Sequence, residues 1–327
     1  MHFIAKRLAF YLVAIVASLS LNFLLPRLMP GDPASLVLAR FRGQVQPEAL
    51  EALKHTFGFT NRPLHEQYLT YLSNVLKGDF GISTSFFPLP VATVIVKGMA
   101  WTFALAGIAL IISFTGGTLL GILAAWNRGG FVDAWLTPCL VFVGSFPYFW
   151  LAMALVYFFG FKMGWFPTSH AYSDGLVPEF SVAFILDIGH HLVLPVLAIV
   201  LATLGGWILG MRNAMIATLG SEALALAQLK GLSQSSIMLR YAARNAILPN
   251  ITGFGMAVGY VLAGSLLTEI VFSYPGQGYL LVQAVRTQDF PLMQGLFFFI
   301  TLAVLAANWV VDIAYFWLDP RTRGSSL

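Results

Sequence analysis

Six stretches of this chain run longer than about 18 residues without a single Asp, Glu, Lys or Arg: 8–26, 98–127, 134–161, 188–211, 245–268 and 290–311. Each can cross the hydrocarbon core of a bilayer as a helix. Nothing else constrains the fold as strongly, because a backbone in lipid must satisfy its own hydrogen bonds. A seventh segment, 80–96, is shorter and carries Ser83, Thr84, Ser85, Pro88 and Pro90, so it reads as loop. Composition agrees: of 327 residues, 58% are hydrophobic and 10% charged, against about 45–50% and about 25% in soluble domains. Too little charge remains to cover an aqueous surface, which argues against a soluble globular enzyme, and the chain is too apolar for disorder. The single cysteine, Cys139, excludes a disulfide within the chain and a cysteine-based metal cluster. The net charge of +4 is not gathered on a polar domain, so no nucleic-acid partner is implied. The expectation is an all-α polytopic membrane protein with six transmembrane helices.

Lys6 and Arg7 ahead of the first stretch resemble the start of a signal peptide. The apolar run that follows exceeds the roughly 7–15 residues of a signal core, and no small-x-small site precedes Pro26. Residues 1–28 therefore read as a retained first helix. With the N-terminus cytoplasmic, the inner segments collect Lys6, Arg7, Arg128, Arg212, Lys230, Arg240, Arg244, Arg321 and Arg323 against Asp133, Glu222 and Asp319. The short outer loops hold Lys162 and Arg286 against Asp174, Glu179, Asp187, Glu269 and Asp289. The positive-inside rule then places both termini in the cytoplasm. Residues 29–97 form an external segment, 98–316 the rest of the transmembrane core, and 317–327 a cytoplasmic tail.

The external segment has its own helical signals. Met29-Pro30-Gly31-Asp32-Pro33 reads as a turn with Asp32 capping a short helix. Residues 47–57 and 65–77 look helical, and in the second Tyr68, Leu69, Leu72, Val75 and Leu76 fall on one face. The inner segment 213–247, between the fourth and fifth spans, is more informative. Ser221 is a candidate N-cap, Glu222 lies in the first turn, Lys230 in the last, and Gly231 follows as the terminating residue. Between them, Ala223-Leu224-Ala225-Leu226-Ala227-Gln228-Leu229 is apolar nearly all round. A short helix of this kind cannot stay in water and must sit in a groove. Arg240 and Arg244 lie four apart beyond it, where contact with anionic headgroups is the plain reading. Three Gly-x-x-x-Gly pairs, 117/121, 206/210 and 255/259, argue for a close-packed bundle and nothing finer.

Catalytic signals are missing. The chain has no G-x-x-x-x-G-K-[ST] loop and no H-E-x-x-H. His190 and His191 sit at a helix entrance, and Ser145 and Ser265 flank no base. Only Glu269 and Asp312 are ionisable residues at membrane depth, each near a helix end. A secondary carrier or an intramembrane enzyme would place more polar groups near the midplane. No catalytic residue and no metal site is expected.

At the inner loop, Ala225-Leu226-Ala227-x-x-x-Gly231 followed by Arg244-Asn245-Ala246-Ile247-Leu248-Pro249 resembles the EAA loop of bacterial ABC importer permeases. The interval from Gly231 to Pro249 matches the longer form of the peptide/nickel subgroup. Pro30-Gly31-Asp32-Pro33, Gly78-Asp79-Phe80-Gly81-Ile82-Ser83, His191-Leu192-Val193-Leu194-Pro195 and the run from Thr268 to Gly278 agree as well. So does the closing Asn308…Asp312…Asp319-Pro320-Arg321, so the ordered series covers most of the chain. The chain is similar to the first, B-type, permease of dipeptide/oligopeptide importers. It departs from the family at Ala225, where a charged residue is common.

The resemblance implies a coupling helix built from Glu222, Ala223, Leu224, Leu226, Ala227, Lys230 and Gly231, seated in a cleft of an ATPase. Two ATPase subunits would bind the ATP and Mg, leaving this chain without a cofactor. It also implies a homologous second permease subunit, an external substrate-binding protein, and a translocation mouth near Glu269, Tyr274, Pro275 and Gly276. The substrate would be di- or oligopeptides, with oligosaccharides or nickel as the alternatives within the same family.

Overall fold

The computed structural model describes residues 2–28, 63–263 and 265–318. Among them the chain is helical, with a lone antiparallel bridge between Ile82 and Pro90 and no strand. In chain order the helices are α1 (His2–Leu28), α2 (Leu64–Leu76), α3 (Val91–Trp126), α4 (Val132–Gly144), α5 (Tyr148–Lys162) and α6 (Val182–Leu219). There follow α7 (Glu222–Leu229), α8 (residues 234–246), α9 (Leu248–Ala263), α10 (Leu266–Val271), α11 (Gln277–Arg286) and α12 (Phe290–Leu318). The expected turn at 29–33, the helix at 47–57 and the motif at 319–321 lie outside the described residues.

By length and composition α3 and α6 can each cross a bilayer, and α4 with α5 form a third apolar unit bent by 99°. Shorter apolar runs lie in α1 (Ala9–Leu25) and α12 (Phe290–Ala306). Three expectations need correction. The segment 80–96 was expected to be loop throughout, but helix begins at Val91, because Pro90 supplies the extended start and Lys97, in the second turn, stays exposed without interrupting the ladder. The fourth span starts at Val182, not 188: Ser181 caps it, its hydroxyl accepting from Phe184 N–H at 3.3 Å, and Asp187 is carried inside the first two turns. The third stretch is not one straight helix. Gly144-Ser145-Phe146-Pro147 interrupts it, since proline lacks the N–H needed to continue the ladder and disfavours helix at the residue before it.

The bundle centres on α3 and α6, which lie against each other along α3's second half. Their approach explains the first glycine pair: a Cβ at Gly121 would stand 2.7 Å from Ile208 O and Met211 Cβ. Gly144 and Gly205 likewise bring α4 onto α6, with Cβ positions 2.8 Å from Ala202 O and Leu140 O. Gly206, by contrast, meets nothing within 4 Å. α12 packs on α9 and α1. Outside, Phe10, Val13, Ile111, Phe142 and Trp150 are exposed, an apolar surface of the kind lipid covers.

α2 docks on α1 through Tyr68, whose hydroxyl lies 2.7 Å from Ser20 Oγ, and through Arg27, which sits 3.6 Å over the Phe23 ring and donates to Gln67 Oε1 at 3.0 Å. The face anticipated for α2 is only partly the packed one. Tyr68, Leu72 and Val75 are half-buried, while Leu69 and Leu76 are exposed, because a docked helix covers a narrower arc than its apolar stripe.

Candidate functional site

Two groups of residues stand at opposite ends of α3. Ile122 belongs to the cluster around α7, and Thr102 to the group around Glu269. Twenty residues of helix between them is about 30 Å.

At one end, α7 follows α6 across a two-residue break. Ser221 has the extended backbone of an N-cap, and its carbonyl accepts from Leu224 and Ala225, but its hydroxyl makes no capping bond. The helix ends as expected: Gly231 has φ +69°, Gly231 N–H donates to Gln228 O at 3.0 Å, and Leu232 N–H reaches back to Ala227 O at 3.4 Å. This paired closure satisfies two terminal carbonyls and needs a left-handed residue at 231.

The apolar body of α7 divides into two faces. Leu224 (2% exposed) and Ala227 pack with Met211, Met215, Ile237 and Ala242 of the chain's own inner layer. Leu226 (55% exposed) and Leu229 (86% exposed) are uncovered, with Glu222 and Lys230 exposed at the two ends. The groove that the sequence demanded is thus half supplied by this chain. Leu224, expected among the docking side chains, holds the helix to its own bundle. Arg240 and Arg244 are exposed on α8. At the same end Arg212 pairs with Asp133, which also accepts from Gly129 N–H at 2.9 Å, so two residues assigned to the inner side by charge do meet.

At the other end Glu269 is 0% exposed. Its Oε1 accepts from the Thr102 hydroxyl at 3.0 Å, and its Oε2 accepts from the backbone N–H of Gly278 at 2.7 Å and of Tyr279 at 3.1 Å. The carboxylate therefore caps α11 from a distance of nine residues, where the helix dipole favours negative charge. Thr102 Oγ1 in turn accepts from Gln277 N–H at 2.8 Å, and Gln277 Nε2 donates to Ile95 O at 2.7 Å. Gly276 is required by contact: a Cβ there would lie 2.5 Å from both carboxylate oxygens. Tyr274 is fully buried, edge-on to Trp101 at 5.8 Å, and burial beside the Glu269 carboxylate holds its hydroxyl above the usual range. The four residues anticipated at the mouth, Glu269, Tyr274, Pro275 and Gly276, thus lie together, tied to the start of α3.

A second buried carboxylate escaped the sequence reading, which counted Asp289 only as an outer-loop charge. Asp289 (0% exposed) accepts from the Ser83 hydroxyl, from Ser85 N–H at 2.8 Å, and from Leu292 N–H at 3.1 Å at the start of α12. Asp followed by Phe290-Pro291 at the head of an apolar helix was the available signal. The same bonds explain the Gly78–Ser83 motif: Asp79 accepts from Gly81 N–H at 2.9 Å, and Gly81 has φ +76°. Among the described residues no group of three or more His, Cys, Asp or Glu could hold a metal. His190 meets Trp165 O at 3.0 Å, and His191 meets Asp187 O at 2.9 Å.

An all-α apolar bundle with a half-covered helix at one end and a self-capped carboxylate segment at the other defines a class of helical membrane protein. Residues 117–324 match the family model described as binding-protein-dependent transport system inner membrane component, and residues 1–96 match that of its N-terminal region. The chain belongs to this family. It is a transport component of the inner membrane, not a catalytic enzyme. It is 33% identical to the di/tripeptide transport system permease protein DppB of Pseudomonas aeruginosa, with 98% of each chain covered. It is 30% identical to the dipeptide transport system permease protein DppB of Escherichia coli K12 and 30% to the glutathione transport system permease protein GsiC of Escherichia coli O1:K1, with 99% of each chain covered in both cases.

Proposed function

We propose that this chain is the permease subunit of an ATP-driven importer of di- or oligopeptides, working beside a homologous second permease, two ATPase subunits and an external substrate-binding protein. The observation that carries the coupling role is the division of α7. Leu224 and Ala227 fasten it to the bundle, and Leu226 and Leu229 remain for another protein. Burying each leucine is worth about 1.5–3 kcal/mol, enough for two side chains to seat a helix in an ATPase cleft. ATP and Mg belong to that partner, and movement of its cleft would turn α7 and, through Met211 and Met215, the inner end of α6. In this reading α1, α3, the α4–α5 pair, α6, α9 and α12 are the six crossings, both termini are cytoplasmic, and the Glu269–Gly276 segment shapes the external mouth. Peptides as the substrate class are supported by the names of the relatives.

Leu226→Asp tests the coupling. The variant is expected to fold and to lose the ATPase subunits in pull-down, together with binding-protein-stimulated ATP hydrolysis in proteoliposomes. Retention of both at wild-type level would remove α7 as the coupling element. The substrate class is tested by identifying the ligand carried by the cognate binding protein; an oligosaccharide or nickel there would replace peptides.

A further inference from the structure

Arg240 and Arg244 lie exposed on α8, four residues apart, across a π turn that runs from Ile237 to Ala243. A π turn closes its hydrogen bonds over five residues, so it winds more slowly than an α-helix and sets positions i and i+4 nearly above one another. The helix then runs on into α9: Ile247 N–H donates to Ala243 O and Ile251 N–H to Ile247 O, both at 2.9 Å. Leu248 and Ile251 therefore follow Arg244 at i+4 and i+7 on one exposed stripe, turned away from Asn250, which is buried and bonded to Trp207 O. Two cations stand at the head of an apolar ladder. We propose that this stripe binds an anionic phospholipid of the inner leaflet, its phosphate at Arg240 and Arg244 and an acyl chain along Leu248 and Ile251.

The counterion must come from outside the chain. Between Glu222 and Glu269 the sequence contains Lys230, Arg240 and Arg244 and no acid. Among the described residues no carboxylate pairs with either arginine, whereas Arg212 at the same end has Asp133. The depth fits a headgroup. Tyr241 is exposed beside Arg240, and Trp135 is exposed two residues beyond Asp133; amphipathic rings of this kind settle where hydrocarbon meets headgroups. A carboxylate of a water-soluble subunit would match the arginines but leave Leu239, Leu248 and Ile251 uncovered, while a lipid carries both parts in one molecule. A bound headgroup also bears on α7. Ile237, Ala242 and Ala246 of α8 pack in the layer that holds Leu224 and Ala227, so a lipid that holds α8 steadies the seat of the coupling helix.

This inference rests on the cytoplasmic placement of α7 and α8 proposed above, and its test separates the two. The complete complex, purified in detergent, is titrated with fluorescent phosphatidylglycerol and, as the neutral control, with phosphatidylcholine. In Arg240→Gln/Arg244→Gln the phosphatidylglycerol concentration for half-saturation is expected to rise by roughly tenfold or more, with phosphatidylcholine binding unchanged. Arg240→Lys/Arg244→Lys is expected to keep most of the affinity, because headgroup attraction needs the charge. Lys162→Gln, which removes an exposed charge near the start of α6, is expected to keep all of it. Unchanged phosphatidylglycerol affinity in the Gln pair overturns the proposal. So does loss of the ATPase subunits from that complex, which would make the arginines a protein contact. Labelling of Ser235→Cys from outside whole cells, in a Cys139→Ser background, would defeat the cytoplasmic placement, while the titration still decides whether the arginines bind lipid.

Discussion

In the proposed orientation, the inner helix α7 grips its bundle with Leu224 and Ala227 and leaves Leu226 and Leu229 bare, whereas the outer segment α10–α11 turns its carboxylate inward and supplies donors to it from its own backbone. At the outer end the Glu269 carboxylate finds all its donors within one chain. In the proposed reading the inner end is finished by a second molecule, the ATPase that covers Leu226 and Leu229. A damaged outer residue should therefore cost the fold, and a damaged inner residue, provided it lies on the bare face, should cost the partner and leave the fold alone.

The largest effect is expected at Glu269. Replacement by Ala orphans the Gly278 and Tyr279 N–H groups and the Thr102 hydroxyl, and each buried hydrogen bond to a charged group contributes about 1.5–3 kcal/mol. Glu269→Ala should yield little folded protein after detergent extraction. Gly276→Ala should do nearly the same, by forcing the carboxylate off its donors. A Glu269→Ala protein with wild-type thermal unfolding and reduced uptake would break the comparison, making Glu269 a pathway group.

Next in size is a contrast within α7. Leu224→Ala empties a site in the inner layer and should lower stability by about 2–5 kcal/mol. Leu226→Ala should leave thermal unfolding of the isolated permease unchanged and weaken only its hold on the ATPase. Equal destabilisation by the two would show that α7 has no free face.

What the sequence made legible follows from the range of the interactions. The long apolar helices α3 and α6 were legible from uninterrupted apolar length, and α7 from local dipole placement and a terminating glycine, all within about ten residues. The partition of its leucines was not visible, because a helix apolar all round carries no period. Glu269 was noticed, but Thr102, 167 positions away, could not be paired with it from one chain. Asp289 was missed for the same reason: Ser83 is 206 positions distant, and only its capping of α12 was local. The bend after Gly144 had its signal in Pro147, yet apolar length alone read straight through it.

A smaller effect is expected at Gly231. Nothing lies within 4 Å of its Cβ position, so the cost of Gly231→Ala is that of a left-handed backbone alone, about 1–2 kcal/mol. The loss should appear as weaker coupling, read as ATP hydrolysis per peptide imported, with the ATPase still bound. Full coupling in Gly231→Ala would mean that the exit angle of α7 does not matter.

The smallest effect separates cap position from cap chemistry. Serine at an N-cap commonly contributes about 1 kcal/mol, because its hydroxyl accepts from a first-turn N–H. Ser221 occupies the position, with ψ 148°, but its hydroxyl makes no capping bond; the carbonyl alone meets Leu224 and Ala225, and that atom survives any side-chain change. α7 is held instead by Leu224, Ala227 and the closure at Gly231. Ser221→Ala should therefore change neither thermal unfolding nor ATPase binding, while Leu224→Ala changes the first. A loss of about 1 kcal/mol in Ser221→Ala would show that the hydroxyl caps α7 in the assembled protein, and that its hold on the bundle is more local than the packing of Leu224 implies.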